Sequence, residues 1–251
     1  MSADPRPYGI PPLPPEGLQR FLKPPPKKPR PGELCEMCLE AIPPEGSWEH
    51  GHVVDLEARN VMCACRACYL LFEHKGAAQG RYRAVPDRYR HDPEFALTEA
   101  QWDTLQVPVH MAFFFFNSDS DMQRMVCFYP SPAGATESLL SLDTWDEVMA
   151  ANPAFGDATP DVEALLIYRP RGQAFECFLV PITACYELVG RVRLRWKGFD
   201  GGQEAWEEIN AFFDRLRNRS ERVHHEAGLD EGAAEGSAGK SEELRSGQAC
   251  E

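Results

Sequence analysis

The chain has 251 residues, of which 43% are hydrophobic and 26% charged, so it is long enough to fold around at least one hydrophobic core. Its formal net charge of -13 argues against a nucleic-acid partner, because proteins that bind nucleic acid present basic surfaces to the phosphates. No apolar run reaches the roughly 20 residues of a membrane span, and the first residues lack the apolar region of a secretory signal, which predicts a cytoplasmic protein without a membrane partner.

The two ends of the sequence lack the pattern of a folded domain. Residues 1–32 contain 11 of the 22 prolines together with an excess of Lys and Arg, which is typical of an extended, disordered basic arm. Residues 220–251 are rich in Gly, Ala, Ser and Glu without apolar periodicity, which predicts a disordered acidic tail. We therefore expect two folded parts between these ends, a Cys-rich module at 33–90 and an α+β domain at 91–219.

Five of the nine cysteines fall within 34 residues of the first module: Cys35, Cys38, Cys63, Cys65 and Cys68. An odd cysteine count without a secretory signal is a poor match to a disulfide framework and favours metal ligands. Two Cys-x2-Cys pairs, separated by 26 residues, supply the four soft ligands that zinc takes in a tetrahedron. The spacing predicts a structural Zn²⁺ bound by Cys35, Cys38, Cys65 and Cys68.

The residues between the two pairs suit a small metal-binding fold. Residues 52–56 and 60–63 can pair as a hairpin, and residues 66–74 favour a helix whose first turn carries the second pair. A knuckle, a hairpin and a helix in this order are typical of a treble-clef-like module. One alternative stays open, because Cys63 and Cys65 share a face of a strand and Cys63 can replace Cys65 as the ligand.

The residues of this module are also compatible with two other functions, a redox protein and a nuclease. A rubredoxin-like iron site, or a dithiol among Cys63, Cys65 and Cys68, would make the chain a redox protein, although Leu39 stands where rubredoxins place glycine. An HNH-like nuclease would need polar residues around the hairpin, and the candidates are His50, His52, Asp55, Asn60 and His74. The nuclease is disfavoured, because the Asp-His pairing is missing and the chain is acidic where phosphate must approach. The sequence predicts no catalytic residues.

The second part of the sequence predicts two hairpins and three helices. Residues 107–116 and 125–129 have the aromatic and β-branched residues of paired strands, and a short helix follows them. Residues 162–169 and 174–181 form a second candidate hairpin, followed by two helices with apolar residues at helical spacing. This order predicts an α+β fold in which a small, mostly antiparallel sheet has helices on one face.

Several segments resemble one known family. They are CEMC (35–38), VDLE (54–57), CACRACYLLF (63–72), GRYRAVP (80–86), FYPSPAGATES (128–138) and CYELVG (185–190). The family is uncharacterised, mostly actinobacterial and encoded beside NiFe-hydrogenase genes, and the similarity runs from about Gly32 to Arg219. The resemblance implies a hydrogenase-operon accessory protein whose partner is a hydrogenase subunit or maturation factor. It carries over no catalytic residue.

Overall fold

The computed structural model describes residues 34–42, 50–74, 76–118, 123–138, 142–170, 172–198 and 201–223. The predicted arm and nearly all of the predicted tail lie outside these ranges. In chain order, the described strands and helices are β1 (His50–Asp55), β2 (Asn60–Cys65), α1 (Arg66–Leu71), β3 (Tyr82–Ala84), β4 (Arg90–Asp92), α2 (Glu99–Thr104), β5 (Met111–Asn117), β6 (Arg124–Ser131), β7 (Gly134–Ser138), α3 (Leu142–Ala151), β8 (Glu163–Tyr168), β9 (Glu176–Pro181), α4 (Ile182–Arg195), α5 (Gly202–Arg219) and β10 (Glu221–Arg222). None of these helices combines the length and the hydropathy of a membrane span.

The first sheet is built from the segment between the two cysteine pairs. β1 and β2 form the predicted antiparallel hairpin, and β3 pairs with the other side of β1. Asp55 holds the turn, because its carboxylate accepts hydrogen bonds from the amides of Glu57 and Ala58 and from the Arg81 guanidinium. The bond from Arg81 lowers the pKa of Asp55. These contacts stabilise the register in which His52 lies opposite Cys63.

The second sheet contains seven strands in the order β10-β4-β9-β8-β5-β6-β7. All neighbouring pairs are antiparallel except the edge pair of β10 and β4. β8 and β9 lie near the centre, and every residue of both strands is buried. The structure therefore confirms a mixed α+β fold with antiparallel sheets.

Helices cover both faces of this sheet, so the prediction of helices on one face was wrong. α4 and α5 pack on the face that carries Leu166 and Phe178. α2 and α3 pack on the opposite face through Trp102 and Trp145, and the Trp145 ring stacks on Phe114 with 4.2 Å between centroids. The continuous apolar runs of the central strands require a packing layer on each side. α3 was predicted as a short helix, but α2, with six residues, is too short to show helical periodicity.

The two sheets share one hydrophobic core. Val54 in β1 and Val85 after β3 belong to the same buried cluster as Ile182 in α4. Polar contacts reinforce this junction, since the Arg83 guanidinium donates to the Asp161 carboxylate at 2.8 Å. The Cys-rich segment is thus packed directly against the seven-stranded sheet.

A buried carboxylate connects β9 to the neighbouring strand β4 and to α5. Glu176 Oε2 lies 2.8 Å from Nε2 of His91 and accepts a hydrogen bond from Nε of Arg217 at 3.0 Å. Burial acts to raise the pKa of Glu176, but the bonds from His91 and Arg217 outweigh it and lower that pKa. The ionised carboxylate therefore stabilises the fold above its ordinary pKa of 4.5, and this stabilisation is lost as the pH falls through the lowered pKa.

We expect Glu176→Gln to lower the free energy of unfolding by about 1–3 kcal/mol at neutral pH, because His91 and Arg217 lose a charged acceptor. The difference from the parent protein should shrink as the pH is lowered, since the parent carboxylate is then protonated as well. Urea midpoints measured from acid to neutral pH test this. Glu99→Gln, which removes the exposed partner of Arg169, is the control and should cost less than about 1 kcal/mol. If the loss of unfolding free energy in Glu176→Gln did not change with pH, the stabilisation would not come from the ionised carboxylate.

Candidate metal centre

Residues 34–42 form a tight loop that presents the first two cysteines. The ends of the loop pair through an isolated antiparallel bridge, and inside it the Leu39 amide donates to the Cys35 carbonyl at 2.8 Å. Leu39 has a φ of 63°, in the left-handed region that glycine adopts more easily. Leu39 therefore adopts, in this loop, a backbone conformation that is typical of glycine. The residue type at position 39 does not distinguish iron from zinc.

The second pair of cysteines comes from the junction of β2 and α1. Cys65 is the last residue of β2, and Cys68 lies in the first turn of α1. Two hydrogen bonds tie β2 to the first loop, one from the Glu36 amide to the Cys63 carbonyl at 2.9 Å and one from the Cys63 amide to the Glu36 carboxylate. These bonds bring the two distant chain segments together.

The four predicted ligands form one cluster. The sulfurs of Cys35, Cys38, Cys65 and Cys68 all lie within 4.8 Å of one another, and the sulfurs of Cys38 and Cys65 are 3.7 Å apart. A tetrahedral site with Zn–S bonds of about 2.3 Å has S–S edges of about 3.8 Å, close to this separation. All four cysteines are free, and Cys38 is the exposed member. The four cysteines could therefore hold a metal ion, and we call them the four-sulfur cluster.

The pKa values of the thiols also favour the binding of a cation at the four-sulfur cluster. Burial opposes ionisation of Cys35, but backbone hydrogen bonds from Cys65, Cys38 and Met37 lower its pKa to about 7. Burial and the neighbouring thiols instead raise the pKa of Cys68. Four thiolates this close repel one another strongly, so all four can ionise together only around a positive charge. A divalent cation supplies that charge.

Cys63 does not join the four-sulfur cluster. Its ligand atom lies instead within 4.8 Å of those of His50 and His52. The sequence analysis left Cys63 and Cys65 as alternatives, and the structure brings Cys65 to the other three cysteines. Cys63 lies opposite His52 in the hairpin, and Cys65 lies opposite His50. The strand register alone therefore does not decide which of the two cysteines joins the four-sulfur cluster.

The residues considered for a nuclease do not form one group among the described residues. His50 and His52 are grouped with Cys63 rather than with Asp55 or His74. The Asp55 carboxylate is engaged by Arg81 at the turn end of the hairpin, where it supports the backbone. Three cysteines outside the first module, Cys127, Cys177 and Cys185, lie in apolar segments of the sequence and are fully buried in the core.

The four-sulfur cluster and six of the seven strands of the large sheet fall within one family match. The model of the family of unknown function DUF5947 matches residues 34–220. The chain belongs to this family. The DUF5947 match joins the Cys-rich segment and the α+β part in one unit, but its description assigns no activity. Searches among curated proteins and among solved structures found no match.

Proposed function

We propose that this DUF5947 protein is a zinc-stabilised, non-enzymatic accessory factor that supports the assembly or function of a NiFe-hydrogenase. The four-sulfur cluster is the observation that carries the metal part of the proposal. Four cysteine ligands fill the tetrahedron of zinc and leave no open position, which is typical of structural rather than catalytic sites. The ion would hold a treble-clef-like module, in which a knuckle, a hairpin and the start of α1 surround it.

Exposed apolar side chains near the cluster support a role in protein interaction. Leu39 directly follows Cys38, while Leu70 and Leu71 lie at the end of α1, just after Cys68, and all three are exposed. Large exposed apolar groups next to a rigid metal site are suited to bury against a partner. The resemblance described above suggests the class of partner, a hydrogenase subunit or maturation factor. Zinc would then keep this surface in a fixed shape.

Elemental analysis of protein purified without an affinity tag tests the metal. We expect at least one equivalent of zinc per chain and a colourless sample. Stoichiometric iron with visible absorption would overturn the zinc assignment and favour a rubredoxin-like protein. A metal-free sample with the residues of the module fully folded would overturn any metal-based function.

Binding to purified hydrogenase subunits and maturation factors tests the interaction. We expect one of them to bind the full chain, and a variant with both Leu70→Asp and Leu71→Asp to bind it at least about tenfold more weakly. Leu194→Asp is the matched control, because Leu194 is an exposed leucine of α4, outside the module. The zinc content of each variant shows whether the module remains intact. No binding to any of these proteins, or equal binding by both variants, would overturn the accessory role.

A further inference from the structure

The second group of metal-ligating side chains lies on one face of the β1–β2 hairpin. Side chains two residues apart on a strand point to the same face, and so do directly opposed residues of paired strands. His50 and His52 meet the first condition, and His52 and Cys63 meet the second. The two imidazole rings are 4.7 Å apart between centroids. The hairpin thus holds two imidazoles and a thiol together, and we call them the His-His-Cys group.

The ligand atoms of the His-His-Cys group are close enough for one ion. They lie within 4.8 Å of one another. Tetrahedral zinc sites have ligand-to-ligand edges of about 3.3–3.8 Å, so small side-chain rotations bring all three atoms to a common centre. Strand backbone on both sides of the group fixes the Cβ positions, which limits the entropy lost on binding.

One ring nitrogen of this group lacks a hydrogen-bond partner in the part of the chain that the structure describes. Nε2 of His50 is buried and makes no hydrogen bond to any of the residues that the structure describes. A buried polar atom without a partner costs about 1–3 kcal/mol. A metal ion at the centre of the His-His-Cys group would remove that cost by coordination.

We propose that His50, His52 and Cys63 bind a second Zn²⁺, separate from the ion of the four-sulfur cluster. Imidazole and thiolate together are ligands that zinc prefers over magnesium or calcium. Three protein ligands leave the fourth position of the tetrahedron open to water or to a small ligand, in contrast to the closed four-sulfur cluster. The two sites are adjacent, since Cys63 and Cys65 are two residues apart on β2.

A zinc titration of the full-length chain tests the second site. Against a chromophoric chelator, we expect two equivalents of Zn²⁺, of which the second binds more weakly because it has fewer protein ligands. His50→Ala and His52→Ala should each weaken the second equivalent by more than about 100-fold and leave the first in place. His74→Ala is the control, because His74 is an exposed histidine just after α1 and lies outside the group. It should keep both equivalents.

X-ray absorption at the zinc edge keeps the test decisive if an alanine variant does not fold. With one equivalent bound, the parent protein should show sulfur ligands only. With two equivalents, it should show two imidazole nitrogens for every five protein sulfurs, since Cys63 adds one sulfur to the four-sulfur cluster. A parent protein that saturates at one equivalent, or a second equivalent without nitrogen ligands, would overturn the proposal. Retention of both equivalents by His50→Ala and His52→Ala would do the same.

Discussion

A Cys35→Ser variant is expected to lose its tightly bound zinc and the local structure of the module. Cys35 is fully buried, and serine offers a poor ligand for zinc in its place. Structural zinc contributes about 10–16 kcal/mol of binding free energy, which is as large as the stability of a whole domain. Residues 34–42 and α1 should therefore lose protection from hydrogen exchange. Cys68→Ser should have the same effect.

The loss of structure in these two variants should stay confined to the module. Val54 and Val85 anchor β1 and β3 in the shared core, and their packing does not depend on the ion. We expect β8 and β9 to keep their exchange protection in both variants. Cys63→Ser is the matched control, because Cys63 lies in the same module but outside the four-sulfur cluster. It should retain the tightly bound ion. Full zinc content and unchanged exchange in Cys35→Ser would show that the ligand assignment is wrong.

A Phe213→Ala variant is expected to lose about 3–5 kcal/mol of stability, because the substitution empties a large, fully buried site. Phe213 lies in α5, and its ring stacks on Tyr168 of β8 with 3.8 Å between centroids. The Tyr168 hydroxyl is in turn hydrogen-bonded to the side chain of Asn210 at 2.8 Å, so the tyrosine ring cannot move to fill the space without losing that bond. Urea denaturation followed by fluorescence and by circular dichroism measures the loss.

Leu194→Ala provides the comparison for Phe213→Ala. Leu194 is also on a helix that packs on this sheet, but it is 83% exposed. Its substitution should change the free energy of unfolding by less than about 0.5 kcal/mol. Similar losses in the two variants would mean that α5 does not pack on the sheet as described.

The sequence predicted the elements whose residues carry a strong local pattern. The β1–β2 hairpin was predicted from two short apolar segments around a polar turn, and the structure places its turn there. β8, β9 and α4 were predicted from long apolar runs and helical spacing. The bounds of β8 and β9 differ by only one or two residues from the prediction.

The elements that were missed depend on distant parts of the chain. β4 and β10 have three and two residues, and they pair only because β9 and α5 bring them to the same edge. β7 was not among the predicted strands, because its residues are small and polar. In the structure β7 pairs along its whole length with residues 127–131 of β6. Such pairing is set by tertiary packing, which local propensity does not contain.

The candidate site was predicted in part for the same reason. The spacing of the two Cys-x2-Cys pairs favoured the four cysteines that the structure brings together. It did not settle the choice between Cys63 and Cys65, because both residues share a nominal strand face. The register of the hairpin does not make the choice either, because it places a histidine opposite each of the two cysteines. Only Cys65, at the start of α1, has its sulfur with those of the other three cysteines.

The parallel pairing of β10 with β4 affects how this protein resists aggregation. The amide of Val223 donates to the His91 carbonyl at 2.8 Å, and the amide of Glu221 donates to the Tyr89 carbonyl at 3.0 Å. These bonds occupy backbone groups that an uncovered edge strand would offer to another copy of the chain. A chain shortened to Arg219 keeps α5 but leaves this edge bare. Expression variants that retain residues 221–223 are therefore the ones to use for work at high concentration.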